Sequence, residues 1–399
     1  MRSRPLMKIV PGLMLVLAVL ALLGCGDQAT KFGAVLPLTG DYSSYGKAIE
    51  QGVQLALEQI QNDSEYPTNI ALTILDSESD PDKAEAHLDT LFGQGAVAVI
   101  GGATSAEALK MISVVDKFDR VLLSPSASSP DLTGVSRNFY RICPSDFRDG
   151  SKMATFAYQS LNLKKVGILA EEQPYASGIQ GVFKEEFERL GGEVTVSEYP
   201  ARTTDFKGLV EYLISTEPDG VYLAAYGDAI GSMIKELREL DYPGKILTTH
   251  AFASPAVIAE VGEAAKDVFL TQTVFELDSD HAHVRKFVDG YEAKYGQRPD
   301  IFAAQGYDSM MVLAEAMRGK PAQPSEVPKA LGEEFSGVTG SIRFDDKGDA
   351  QKYPRVYIIG EDLLLYDFDE QVKKQREEIK RQREQIEERL RKLREEMKN

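Results

Sequence analysis

Residues 32–61 read FGAVLPLTGDYSSYGKAIEQGVQLALEQIQ, and this stretch sets the architecture. Phe32 to Leu36 is an apolar, strand-like run. Thr39-Gly40-Asp41-Tyr42-Ser43-Ser44-Tyr45-Gly46 follows as a small polar loop. From Ser44 to Gln61 the apolar residues Val53, Ala56, Leu57 and Ile60 recur at helical spacing, which predicts an amphipathic helix. Strand, hydroxyl-rich turn and helix in that order are the building block of a parallel α/β sheet.

The block repeats outward. Ile70 to Leu75, Val97 to Gly101 and Val121 to Leu123 predict further strands, with helices from about Asp80 and Ser105 between them. The pattern restarts with strands at Lys165 to Ala170, Val194 to Tyr199 and Gly220 to Ala224. Helices at Ala176 to Leu190, Phe206 to Ser215 and Ala229 to Leu240 alternate with these strands. Two doubly wound units in succession are the simplest reading, with Phe139 to Asp149 crossing between them. A chain of 399 residues has room for two such cores.

Both termini depart from this pattern. Arg2, Arg4 and Lys8 precede an apolar run from Ile9 to Leu23, interrupted only by Pro11 and Gly12. That is the form of a signal peptide, over 1–24. It ends in Leu22-Leu23-Gly24-Cys25, which resembles the lipobox of bacterial lipoproteins and implies lipidation at Cys25 and a membrane attachment. Formal net charge is −17. Removing 1–24 takes away three basic residues and no acid, so the remainder is still more acidic. Such a body repels phosphate backbones, which argues against nucleic-acid binding. With Cys25 lipidated, Cys143 has no intramolecular disulfide partner, and Ile142 and Pro144 beside it suggest a buried structural thiol.

From Asp369 to Asn399 there are 11 Lys or Arg, 9 Asp or Glu, and neither Gly nor Pro. Val372, Ile379, Ile386 and Leu393 repeat every seven residues; Leu390 and Met397 start a second seam that Arg376 and Arg383 occupy earlier. This predicts a charged helix over 369–399. It either packs its stripe on the body or associates with a second copy or a partner.

Enzymatic signatures are scarce: there is no Gly-rich phosphate loop, no Cys-pair zinc spacing and no Ser elbow. His281 and His283 beside Asp278 and Asp280 read as a solvated surface cluster rather than a metal site, and no cofactor is expected. The hydroxyls are more telling. Three strands of the first unit end in Thr39 to Gly46, in Gly101-Gly102-Ala103-Thr104-Ser105, and in Ser124-Pro125-Ser126-Ala127-Ser128-Ser129-Pro130. Ligands of open parallel sheets sit beyond the carboxyl ends of the strands, and helix N-termini there favour a carboxylate or another polar group. Ser44, Thr104 and Ser129 are also placed to cap helices.

These residues carry a resemblance to the type I periplasmic binding proteins of the branched-chain amino-acid (Leu/Ile/Val) family. It runs from Lys31 to about Tyr366. Gly33-Ala34-Val35-Leu36-Pro37-Leu38-Thr39-Gly40, Ile100-Gly101-Gly102 with Thr104-Ser105, and Gly337-Val338-Thr339-Gly340 through Phe344-Asp345 are among the matching pieces. The resemblance implies two α/β lobes joined by three crossing segments and closing on a ligand. Lobe 1 would comprise 25–141 and 252–330, and lobe 2 would comprise 142–251 and 331–368. It implies Ser105 and Ser128 as donors to a ligand carboxylate, with Ser126 and Ala127 in the same loop. Tyr45 would be an aromatic wall, Tyr175 and Tyr226 would face the ligand from lobe 2, and Asp146 would lie near the hinge. Where amino-acid binders of this family place a glutamate for the ligand ammonium, Thr249-His250-Ala251-Phe252 offers His250. A neutral imidazole supplies no fixed negative charge. Either another acid, Asp146 or Asp228, takes that role, or the ligand is a hydroxy acid, amide or aromatic carboxylate. The implied function is solute capture in the cell envelope, on its periplasmic or exterior side. Delivery would be to the permease and ATPase of an ABC importer, with no chemistry of its own. An envelope sensor that uses the tail helix to reach a partner is the alternative.

Overall fold

The computed structural model describes residues 29–396 apart from 65, 67 and 68. The leader 1–24 and Cys25 lie outside the described residues. The first unit runs β1 (Thr30–Leu36), α1 (Ser43–Gln61), β2 (Ile70–Asp76), α2 (Pro81–Gly93), β3 (Ala98–Gly101), α3 (Ser105–Phe118), β4 (Val121–Ser124) and β5 (Phe139–Arg141). Its five strands are parallel in the order β2-β1-β3-β4-β5. α4 (Asp146–Thr155) then opens the second unit, so the first crossing shrinks to the residues between β5 and α4.

The second unit continues as β6 (Lys165–Glu171), α5 (Pro174–Arg189), β7 (Glu193–Tyr199), α6 (Lys207–Ser215), β8 (Gly220–Ala224), α7 (Gly227–Glu239), β9 (Lys245–Thr248), α8 (Pro255–Val261) and β10 (Phe269–Thr273). The chain returns through α9 (Ala282–Tyr295), α10 (Ile301–Ala316), α11 (Glu326–Ala330) and a hairpin of β11 (Phe335–Gly337) and β12 (Gly340–Ile342). β13 (Pro354–Ile359) and β14 (Leu365–Asp367) end the larger sheet, and α12 (Phe368–Glu396) follows. That sheet runs β14-β13-β10-β9-β8-β6-β7. Its parallel half repeats the strand order of the first sheet. β13 pairs antiparallel to β10 and β14 antiparallel to β13.

One boundary differs from the expected one. The resemblance implies 252–330 in lobe 1, yet α8 and β10 belong to lobe 2, because β10 pairs in parallel with β9 and antiparallel with β13. The βα alternation runs on for one more unit before the chain returns. At the other end, Val338 and Thr339 donate their N–H groups to Asp308 on α10, so the β11–β12 hairpin sits with lobe 1 rather than lobe 2.

The core positions the cleft. α10 is buried along almost its whole length and packs on α1, where a Cβ on Gly52 would lie 1.9 Å from the Ala303 carbonyl. Arg141, fully buried, pairs bidentately with Asp349 (2.6 and 2.9 Å) and donates to the Ser129 carbonyl at 2.8 Å. One guanidinium thus ties β5 and the segment between β12 and β13 to the third hydroxyl loop. The tail helix is rooted by Phe368, edge-on to Phe156 and Phe269, and by the Arg355–Asp367 pair. Beyond the root its apolar stripe does not pack on the body: Ile379, Ile386 and Leu390 are 44%, 59% and 47% exposed.

Candidate functional site

In each sheet the strand order reverses between the first and third strands of its unit, and a crevice opens beyond their carboxyl ends. Tyr45, just after β1, and Ser105, just after β3, lie at this point in lobe 1. Tyr175, just after β6, and Tyr226, just after β8, lie at the equivalent point in lobe 2. The two crevices face one another. Tyr45 donates its phenol proton to the Ala251 carbonyl (2.9 Å) and accepts from the Gly227 N–H (2.7 Å), joining the lobes. A Cβ on Gly227 would lie 2.9 Å from that phenol oxygen, so glycine is what permits the approach. Tyr226 packs against Tyr42, Tyr45 and Tyr175 at centroid separations of 4.4, 5.7 and 5.1 Å. At the lip, exposed Arg202 and Asp41 pair at 3.1 Å.

Lobe 1 presents the hydroxyl loops. Thr104 is spent on capping: its hydroxyl accepts from the Glu107 N–H, and the Glu107 carboxylate accepts in return from the Thr104 N–H. Ser129 caps the turn at Pro130, whereas α1 has no side-chain cap, so Ser44 does not serve there. Ser126 donates to the Ala103 carbonyl (2.7 Å), stitching two loops together. Ala127, buried between them, donates its N–H to the Ser124 hydroxyl, and its carbonyl accepts from Arg141 and Cys143. Ser105 accepts from the Ser129 N–H (3.1 Å), and none of these bonds uses its own proton. Ser128 gives its proton to Asp146 (2.9 Å), which leaves its backbone N–H as the group it can offer.

Lobe 2 and the hinge present acids. Asp146 and Asp149 stand one turn apart at the start of α4 and are buried. The Nδ1 of His250 lies 3.9 Å from an oxygen of each. Burial, then the neighbouring Asp149 charge, holds the Asp146 carboxyl well above its usual range. Burial lifts Asp149 to about 7 against a favourable contact with Thr271. Burial also pushes His250 down to about 4, so the imidazole is neutral. Asp228 is exposed on the first turn of α7, away from this corner.

Sequence reasoning missed Asp149, whose signal was its i, i+3 spacing from Asp146. It also missed Tyr42 and Phe302, the latter 4.7 Å from the Tyr45 ring. No metal-ligating set was expected, yet Asp146, Asp149 and His250 place one ligand atom each within 4.8 Å of the others. His281 and His283 are exposed, as read. Cys143 is buried and its thiol is pushed up to about 12, which makes it inert.

Two similar lobes facing across a hinge, with polar loops on one wall and aromatics on the other, define a two-lobed binding protein. The chain belongs to the periplasmic binding protein family, whose model matches residues 29–358. It is a substrate-binding protein of the ABC-transporter type. It is 25% identical over 325 residues to a leucine-, isoleucine-, valine-, threonine- and alanine-binding protein of Pseudomonas aeruginosa, covering 79% of this chain and 86% of that one. A leucine-binding protein of Thermotoga maritima superposes with a TM-score of 0.78 at 27% identity, covering 86% of this chain and all of the other. A Streptococcus pneumoniae branched-chain amino acid transporter substrate-binding protein, in complex with isoleucine, gives 0.76 at 25%, covering 84% and 96%.

Proposed function

We propose that this protein is the lipid-anchored receptor of an ABC importer and closes on a small solute bearing a carboxylate. The bridge from Tyr45 to Gly227 and Ala251 carries the reading, because it spans the two lobes beside the hydroxyl loops. The carboxylate lies against the Ser105 hydroxyl and the N–H groups of Ser105 and Ser128, at the start of α3, where the helix dipole favours negative charge. Tyr175 and Tyr226 close over it from lobe 2. Domain closure of this kind presents a new surface to a permease, and the ATPase supplies the work. Cys25, at the end of the apolar leader, carries the lipid on the periplasmic or exterior face. The relatives' printed ligands make branched-chain and small amino acids the first solutes to test.

Calorimetric titration of residues 26–399 with amino acids, hydroxy acids, amides and aromatic carboxylates tests this. Micromolar or tighter binding of at least one carboxylate, weakened in Ser105→Ala, is the expected result. The exposed stripe of α12 favours a second reading, an envelope regulator with the same cleft. Deleting 369–399 separates the two: an importer keeps uptake, whereas a regulator loses its partner.

A further inference from the structure

Along α12 the aliphatic positions Val372, Ile379 and Ile386 recur every seven residues, and the seam four residues on reads Arg376, Arg383 and Leu390. Ile379, Ile386 and Leu390 are exposed, as are the two arginines beside them. A lone helix gains little from such a stripe in water, because helical stability comes mainly from burying an apolar face. The stripe is narrow: one aliphatic seam and one shared with arginine. That is the width of a contact between two helices.

The charges decide which way a second helix runs. Positions 373, 380 and 387 flank the stripe on one side as Lys, Lys and Glu, and positions 375, 382 and 389 flank it on the other as Gln, Gln and Arg. Two copies in parallel would stack Arg376 on Arg376 and Arg383 on Arg383, like charges inside the seam. Reversed, with Arg383 against Ile386 of the second copy, the seams interleave. Ile379 then meets Leu390, and no arginine meets its twin. The arginine stems lie along the opposing aliphatics with their guanidinium groups in water. On the flank, Lys380 faces Glu387 of the second copy, twice by symmetry. Within its own helix Lys380 pairs with Glu384 at a distance of 4.0 Å, the outer limit of an ion pair. Lys373 and Arg394 meet at the two ends, exposed and screened.

Length agrees with this register. Its centre falls between Glu384 and Gln385, so the helix from Lys373 to Glu396 overlaps its copy end to end over about 36 Å. Each body, rooted by Phe368, then stands at an opposite end of the rod. The tail is also close to neutral, with 11 bases and 9 acids over 369–399, whereas the whole chain carries −17. It is a place where two strongly acidic molecules can approach.

We propose that α12 is a self-association helix, through which two copies of this chain pair antiparallel along Ile379, Arg383, Ile386 and Leu390, with Lys380 and Glu387 fixing the register. The pairing is independent of what the cleft holds: an importer and a regulator would both be held in twos.

Sedimentation of residues 26–399 at about 100 μM should give twice the chain mass, and Ile386→Asp should return it to the single mass with the melting temperature of the body unchanged. Glu387→Lys should weaken association by about 10-fold, and adding Lys380→Glu should restore it. Orientation is read by oxidation, since buried Cys143 does not compete. Chains with Ile379→Cys and chains with Leu390→Cys, told apart by mass, should cross-link to each other. Neither should cross-link to itself, because its own counterpart lies about 16 Å away along the axis. Self-linking of each variant would mean a parallel pair and overturn the proposal. So would a single mass for the full chain at every concentration, a double mass that survives Ile386→Asp, or a charge exchange that fails to restore association.

Discussion

The two walls of the cleft are built in opposite ways. On lobe 1 most of the polar side chains are engaged: Thr104 caps, Ser126 stitches loops and Ser129 caps again, and the groups still on offer are the Ser105 hydroxyl and backbone N–H groups. At the hinge side of lobe 2, two buried acids and a neutral histidine crowd together. The first wall is hydrogen-bonded within itself, whereas burial strains the acids of the second and holds them above their usual range.

The largest expected effect tests the strain. Asp149 titrates near 7 in the folded chain against 3.8 as its ordinary value. The unfolded chain therefore ionises first, and stability falls as pH rises from about 4 to 7. At about 1.4 kcal/mol per unit, the penalty has a ceiling of about 4 kcal/mol. Asp149→Asn removes it, so the ligand-free variant should match the native protein at pH 4 and exceed it increasingly up to pH 7 in chemical denaturation. A constant difference across that range would mean the acid is not the strained group.

Closure itself comes next. Gly227→Val places side-chain atoms against the Tyr45 oxygen and the Ala251 carbonyl. Ligand affinity should fall by roughly 100-fold, and the melting temperature should drop too, because the Ala251 carbonyl (3.1 Å) and Val257 (3.3 Å) crowd the same position within lobe 2. Tyr45→Phe keeps the ring against Phe302 but loses two hydrogen bonds across the cleft. About a 10-fold weakening by calorimetry is expected. Asp41→Asn should change affinity less than about 2-fold, because its pair with Arg202 is exposed and such pairs are worth little.

Much of this was legible. The hydroxyl loops were legible as loops after β1, β3 and β4, but not that most of their side chains would cap and stitch. Tyr45, Ser105, Tyr175 and Tyr226 fall at the sheets' reversal points, as strand order requires. The end of lobe 2 was not legible, because β9, α8 and β10 repeat the local pattern of every preceding βα unit; only pairing to β13 assigns β10. Asp149 was hidden for a similar reason. Acids in the first turn of a helix are ordinary charge complements to its dipole, and the histidine that gives this one its setting lies about a hundred residues away. The tail was legible as a helix, but not that its stripe would stand free of the body.

The most direct measurement is the distance across the lip. Asp41→Cys and Arg202→Cys place labels on exposed residues of opposite lobes, and buried Cys143 does not compete for them. Pulsed electron resonance on 26–399, freed of solute, should give a long or broad distance. A carboxylate that binds by calorimetry should collapse it to a short, narrow one. If a bound carboxylate leaves the distribution unchanged, the two lobes are not a closing cleft and the account is wrong.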